Sequence, residues 1–409
     1  MKVILANHSV YPYHPYGGVE KRIYYLAKAL FEAGVDVEIV ASSSKAKKVK
    51  NEQFEGITYT FIPPHVDWKS TYGVFDSIRV GLFAVNLTRY LRRKQFDLLY
   101  CSITVPYFYL HLRKRACVIF QPFEEIYEFK GSTLKPRGIV SQLRLKLVHQ
   151  IKEKVDKYCM THADIVASEG EFQTTIFLKL FNINREKILV LPVATDIPSI
   201  DAALKAGNLS REDLGLENND LVLISVNRLV SSKGIAYLVE AFKLLKQKIT
   251  NAKLILVGAG ADEEEIRKQI ASCGLTDSVI HLKNVPDDLL YSYYALSDIY
   301  VSPTLDIGSV QSVIEAMACS LPIVSTGQNF WVKDGVNGFV VPKRNPEAMV
   351  QATLNISETN KCEAFGRMSR TIAQRYDYRV LAKTIIENYV RLNTREKEED
   401  NDAKSFVSY

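Results

Sequence analysis

No apolar run in the 409 residues approaches the roughly 18–20 positions that a membrane-spanning helix needs. The N-terminus, MKVILANHSV, has neither the length nor the small-residue cleavage site of a signal peptide. Six cysteines are scattered with no C-x-x-C pair and no histidine nearby in a ligand pattern, which argues against a disulfide framework and a zinc site. They read as reduced, mostly buried thiols of a cytoplasmic protein. Stacking-aromatic motifs do not accompany the basic residues, so nucleic acid is not the expected partner. The one D-x-D, Asp400 and Asp402, lies in an acidic tail, and no metal site is expected.

The composition is that of a globular protein, 47% apolar and 24% charged, with length for two or more domains. Charge is uneven. Residues 1–200 hold 28 basic and 19 acidic side chains, and the remainder 24 and 27. The first half is the one expected to face an anionic partner. It opens strand–loop–helix–strand (KVILAN, YGGVEKRIYYLAKALFEAG, VDVEIVAS), and FDLLYCS, ACVIFQ, ADIVAS and KILVLPV follow as buried strands. A polar stretch from Asp196 to Asp220 reads as a linker. Strands then alternate with helices again from LVLISV onward. The expected fold class is α/β, two doubly wound domains facing a cleft: residues 1–197, then 198–377. A helix at 378–394 is expected to pack back on the first domain, and a polar tail at 395–409 to be disordered.

Ligands of doubly wound sheets sit beyond the carboxyl ends of the strands. At the first such exit Gly17 and Gly18 precede a helix, where backbone N–H groups approach an anion; a plain turn would use the same pair. In VNRLVSSKG, Arg228 and Lys233 flank a turn after a buried strand, which suits a diphosphate. Two solvated cations would give the same pattern. Gly258 and Gly260 in VGAGAD are a weak phosphate-loop signal beside the acidic DEEE. After SPTLDIGSV, a helix start near Ser309 and Val310 offers free N–H groups, and Glu315 is placed to accept ribose hydroxyls or to complement the helix dipole.

Taken in order, PYGGVEKRIYYLAKALFEAGVDVEIV, VNRLVSSKG, LILVGAG, IEAMACSLPIVST and VKDGVNGFVVP resemble the landmarks of family 4 glycosyltransferases (group 1), over about residues 1–394. The resemblance implies the GT-B fold, built of two Rossmann-like domains. It also implies a retaining, metal-independent transfer from a UDP- or GDP-sugar to a saccharide or lipid-linked acceptor. Arg228, Lys233 and Glu315 match its catalytic and donor-holding residues. Gly17, Gly18, Asn284, Val285, Gly308, Ser309 and Val310 match its donor contacts. Three positions depart from the pattern. Ile307 stands where the family has a second glutamate, with Asp306 adjacent. Gln121 replaces a histidine near the reacting carbon. Asp196 survives from an N-G-x-D whose glycine is lost. Gln121, Asp306 and Asp196 are therefore candidate sugar or acceptor contacts. These departures keep two rivals open: a non-catalytic nucleotide-sugar binder, and a sugar-nucleotide epimerase, although Gln121 supplies no acid or base.

The acceptor side is expected on the basic half. Arg89, Arg92, Arg93 and Lys94 close one apolar stretch, and Arg113, Lys114 and Arg115 cluster in another. Leu143, Leu147, Ile151 and Val155 recur four apart among Arg144, Lys146, Lys152 and Lys154. Such faces fit an anionic membrane surface, placing the protein peripherally on the inner face, or helices packed on a sheet with their cations solvated.

Overall fold

The structure, a computed structural model, describes residues 1–13, 18–42, 48–64, 74–102, 106–112, 116–122, 139–305, 311–326, 331–357 and 361–406; of these, 74–77, 139–149, 287–288 and 395–406 are described by backbone only. It divides into two compact units, residues 1–192 with 378–409, and residues 193–377.

Unit 1 is built from β1 (Lys2–Ala6), α1 (Gly18–Glu32), β2 (Asp36–Ser42), β3 (Lys50–Phe54), β4 (Ile57–Ile62), α2 (Val74–Leu91), β5 (Leu98–Ser102), α3 (Tyr107–His111), β6 (Cys117–Gln121), α4 (Ile139–His162), β7 (Ile165–Ser168), α5 (Glu171–Phe181) and β8 (Ile188–Val190). The sheet runs β3-β4-β2-β1-β5-β6-β7-β8. All neighbours are parallel except the β3–β4 hairpin. Central strands such as LLYCS are buried at every position, as a parallel sheet covered on both faces requires. Phe83, Leu87, Tyr109, Cys159 and Phe177 bring α2–α5 onto one face.

Unit 2 follows with α6 (Ile197–Ala206), β9 (Leu221–Val226), α7 (Ile235–Lys246), β10 (Ala252–Val257), α8 (Glu263–Ser272), β11 (Val279–Leu282), α9 (Asp287–Ala295), β12 (Ile299–Ser302), α10 (Gln311–Ala318), β13 (Ile323–Thr326), β14 (Gly338–Val341), α11 (Pro346–Ser357) and α12 (Lys361–Ala373). Its six strands, all parallel, run β11-β10-β9-β12-β13-β14. Alternate residues of each strand serve the two faces. Ile224, Tyr300 and Ile323 pack with α9 and α10, while Leu223, Val301 and Val324 pack with α7 and α11.

The last helix, α13 (Tyr378–Phe406), returns to unit 1. Its Tyr378 ring stacks on Tyr25 of α1 at 5.5 Å, and Arg379 pairs with Glu32 at 2.8 Å. The structure differs from the sequence reading at three places. Residues 196–220, read as a linker, hold α6, whose Ile197 and Ile200 are buried in the core of unit 2. The division falls at 192/193, ahead of 197/198, because Thr195 bridges to Asp377 and so joins the second unit. Residues 395–406, expected to be disordered, continue α13; Arg, Lys and Glu are all good helix formers, and the segment extends a helix already nucleated.

Candidate functional site

In unit 2 the order of strands reverses direction between β9 and β12, the point at which ligands of doubly wound sheets sit beyond the carboxyl ends of the strands. Arg228 and Lys233 lie in the chain that leaves β9 there. Asn227 is buried, Arg228 exposed and Leu229 buried, so the chain anchors on both sides of the cation and turns only Arg228 outward.

That anchoring comes from the next loop. Asn227 N donates to Val257 O at 3.0 Å, Leu229 N to Ala259 O at 3.0 Å, and Asp262 N to Leu229 O at 2.9 Å. The approach is so close that a Cβ on Gly258 would lie 1.9 Å from Asn227 O, and one on Gly260 2.2 Å from Leu229 O. The two glycines thus serve the packing of the Arg228 turn. Lys233 ends a short 3-10 turn, Ser231–Lys233, and Gly234 follows at φ +66°. A Cβ there would be 2.1 Å from Pro303 O, and Leu305 N donates to Ser232 O at 2.8 Å. The Lys233 turn is therefore held against the chain leaving β12. That chain is fixed in turn by Thr326 Oγ1, which donates to Thr304 O at 2.6 Å, and by Lys343 Nζ, which donates to Leu305 O at 2.7 Å.

Glu315 sits in the second turn of α10 and is 4% exposed. Tyr300 Oη and Ser312 Oγ share a hydrogen bond of 2.7 Å, and Gln311 Nε2 donates to Ala194 O at 2.9 Å, which pins the start of this helix. Burial raises the Tyr294 and Tyr300 phenols above their ordinary values, and the Glu315 charge adds to both shifts. Three buried polar atoms near the same strand ends, Asn227 Oδ1, Ser302 Oγ and Ser325 Oγ, have no hydrogen-bond partner among the described residues. Each such group costs about 1–3 kcal/mol when desolvated. Asn284 is exposed at the end of β11, and Val285 is half-buried against the core. Asp306, Gly308, Ser309 and Val310, with the departure at Ile307, lie outside the described residues, as does Gly17.

In unit 1, Gly18 is the exposed first residue of α1. Ser9 Oγ, beyond β1, donates to Glu20 in the first turn at 2.6 Å. Gln121, expected to meet a sugar, is instead fully buried: its amide oxygen accepts from Tyr100 Oη, and Nε2 donates to Glu169 Oε1 at 3.5 Å. Asp196, expected as another contact, is 2% exposed and accepts from Ser199 Oγ at the start of α6. Both polar groups are committed inside the protein. Behind Gln121 lies a pair that sequence reasoning missed. Arg22, 3% exposed, meets Glu169 Oε1 at 3.0 Å and Leu191 O at 2.6 Å. Burial raises the Glu169 carboxyl, with the Arg22 charge pulling the other way. The available signals were an arginine on the otherwise apolar face of α1 and a glutamate directly after a strand.

Two sequence profiles divide the chain: Glycosyltransferase Family 4 matches residues 16–197, and Glycosyl transferases group 1 matches residues 208–371. The chain belongs to the family 4, group 1 glycosyltransferases. This glycosyltransferase is 29% identical over 224 residues to the capsular polysaccharide biosynthesis glycosyltransferase CapM of Staphylococcus aureus, covering 52% of the chain and 58% of CapM. It is 23% identical over 279 residues to a UDP-Gal:α-D-GlcNAc-diphosphoundecaprenol α-1,3-galactosyltransferase of Escherichia coli, covering 67% and 70%. The chain spans little more than half the length of several curated relatives, 54–58% for three of them. Among solved structures, sucrose-phosphate synthase of Thermosynechococcus elongatus superposes with a TM-score of 0.77 at 18% identity, covering 96% of this chain and 99% of that one. HepE of Anabaena, in complex with UDP and glucose, gives 0.71 at 18%, covering 96% and 100%. The fold is GT-B, two Rossmann-like α/β domains. Among the described residues no helix is long and apolar enough to cross a membrane.

Proposed function

We propose that this glycosyltransferase is a retaining, metal-independent enzyme that moves a sugar from a nucleoside-diphosphate-sugar to a saccharide or lipid-linked saccharide. The observation that carries the reading is the anchored turn after β9, which exposes Arg228 and holds Lys233 against the chain leaving β12. Negative charge builds on the β-phosphate as the glycosidic bond breaks. Arg228 offers a fork to two oxygens and Lys233 a compact charge, and cations fixed in advance stabilise the leaving group without reorganisation. Glu315, nearly closed off from water, accepts the ribose hydroxyls. The departing phosphate takes the acceptor's proton on the face it leaves, so configuration is retained without a protein nucleophile. The diphosphate is that of uridine or guanosine: HepE holds UDP and the E. coli relative is named for UDP-Gal, whereas a Mycolicibacterium smegmatis relative, 26% identical over 219 residues, is named GDP-mannose-dependent.

Thermal stability against UDP, GDP and their sugars, with and without Mg²⁺, tests the donor site. A diphosphate at a hundred times its Kd adds about 2.7 kcal/mol, and the shift is expected to be the same without metal. Lys233→Ala is expected to keep its Tm and lose at least about a hundredfold in kcat/KM, as removal of one preorganised charge contact does. Wild-type turnover in that variant would remove the mechanism. A protein that binds diphosphate but turns over no donor with any acceptor would be a binder only.

The acceptor reading is a lipid-linked saccharide met at an anionic membrane surface. Ile78 and Leu82 on α2, Leu112 beyond α3 and Ile151 on α4 are each more than half exposed, with Arg79 and Lys154 exposed beside them. The clusters at residues 113–115 and 143–147 lie outside the described residues or side chains. Sedimentation with phosphatidylglycerol vesicles is expected, and Leu82→Glu with Ile151→Glu should abolish it. Equal sedimentation of that variant would rule this face out.

A further inference from the structure

Arg22 is a buried cation that the proposed chemistry does not use. It lies four residues beyond Gly18, on the same stripe of α1, so its side chain sits one turn behind the glycine that opens the helix. The guanidinium reaches out from α1 to the ends of two strands, meeting Glu169 after β7 at 3.0 Å and Leu191 O after β8 at 2.6 Å. Glu169 continues the chain of contacts to Gln121 at the end of β6, whose amide oxygen accepts from Tyr100 of β5. Gln173 closes the group, accepting from Glu169 N at 2.6 Å and donating to Pro122 O at 3.1 Å. One side chain of α1 is thus tied to four neighbouring strand ends.

As a stabilising device this is poor. A buried ion pair loses hydration on both partners, and well-packed apolar residues in its place are often neutral or stabilising. Arg22 Nε is buried with no hydrogen-bond partner among the described residues, a further loss. What an apolar replacement lacks is direction. Apolar contact lets a helix slide and rotate by small amounts, whereas a planar fork held by a carboxylate and a carbonyl sets both height and rotation.

We propose that Arg22 and Glu169 are positioning residues that set the first turn of α1, and with it the Gly18 backbone, against the carboxyl ends of β5–β8. The functional half rests on the reading of that glycine as backbone that approaches the donor phosphates.

The test is the double variant Arg22→Met, Glu169→Leu in the full chain, with three readouts. Its Tm is expected to equal or exceed that of the wild type, because no charge is left buried alone. Amide exchange at residues 22–26, whose helical acceptors are the carbonyls of 18–22, is expected to quicken at least tenfold with the rest of α1 unchanged. UDP or GDP is expected to bind more weakly, because the displaced Gly18 backbone meets the phosphates less well, and kcat/KM for the nucleotide-sugar to fall at least tenfold. Wild-type exchange at 22–26 would overturn the positioning role, and faster exchange with unchanged kcat/KM would overturn its link to transfer. A wild-type protein that binds neither diphosphate would instead remove the transferase reading, and exchange alone then decides the pair. Should the double variant not fold, Arg22→Lys keeps the charge and loses the fork. It is expected to fold and to show the same faster exchange; wild-type exchange in it counts against the proposal.

Discussion

Gly258 carries no side chain, yet the Arg228 turn depends on it. Its φ is +139°, a conformation in which a Cβ is strained, and that Cβ would lie 1.9 Å from the Asn227 carbonyl. Gly258→Ala is therefore expected to destabilise unit 2 by about 1–3 kcal/mol, the scale of backbone strain, and to weaken diphosphate binding by moving Arg228. Full affinity in the folded variant would show that the turn does not position Arg228. The sequence placed Arg228, Lys233 and Glu315 near strand ends because strand and helix periods are local, and an exit can be read from where a period stops. It left Gly258 and Gly260 as a weak signal, since a glycine needed for close approach to another loop looks the same as one needed for a ligand. The internal partners of Gln121 and Asp196 were not legible for a related reason. A polar residue at a strand end reads as available until its partners are known, and Gln121 finds its own 21 and 48 positions away.

Among the elements, α4 holds the most unusual group. Asp156 is fully buried, and neither carboxylate oxygen has a hydrogen-bond partner among the described residues. Burial pushes its carboxyl up to about 7, against a small opposing pull from Lys152. The folded state thus holds a proton that the unfolded chain releases near pH 4. Stability from this residue is full below that value, declines as pH rises towards about 7, and is flat above it. At roughly 1.4 kcal/mol per pH unit the loss amounts to a few kcal/mol. Asp156→Leu is expected to be more stable than wild type at pH 8 and to lose this slope; urea unfolding at pH 5 and pH 8 decides. Parallel slopes in both proteins would show that Asp156 does not carry the effect. The hairpin β3–β4 was not legible in advance. KNEQF is polar and lies at the edge of the sheet, half exposed, so no apolar run announces it. The far end of α13 was missed because high charge reads equally as disorder and as an exposed helix.

At the scale of the whole molecule, the doubly wound plan was the most legible feature, because buried parallel strands are apolar throughout and recur between amphipathic helices. What periodicity does not reveal is how the chain is divided between units. It leaves unit 1 after Pro192 and returns at Tyr378, and the two ends of unit 2 are stitched to each other. Thr195 N donates to Tyr376 O at 2.9 Å, and Ile197 N to Asp377 Oδ2 at 3.0 Å. Unit 2 is thus an insertion with a single doorway, and that makes it a cassette. Residues 193–377 produced alone are expected to fold cooperatively; an unfolded fragment would refute this. Residues 1–192 alone lack the helix that covers α1 and are expected to be unstable until residues 378–409 are added as a separate peptide. A natural chain built this way can exchange unit 2 for another through two junctions, 192/193 and 377/378, that its own ends hold close together.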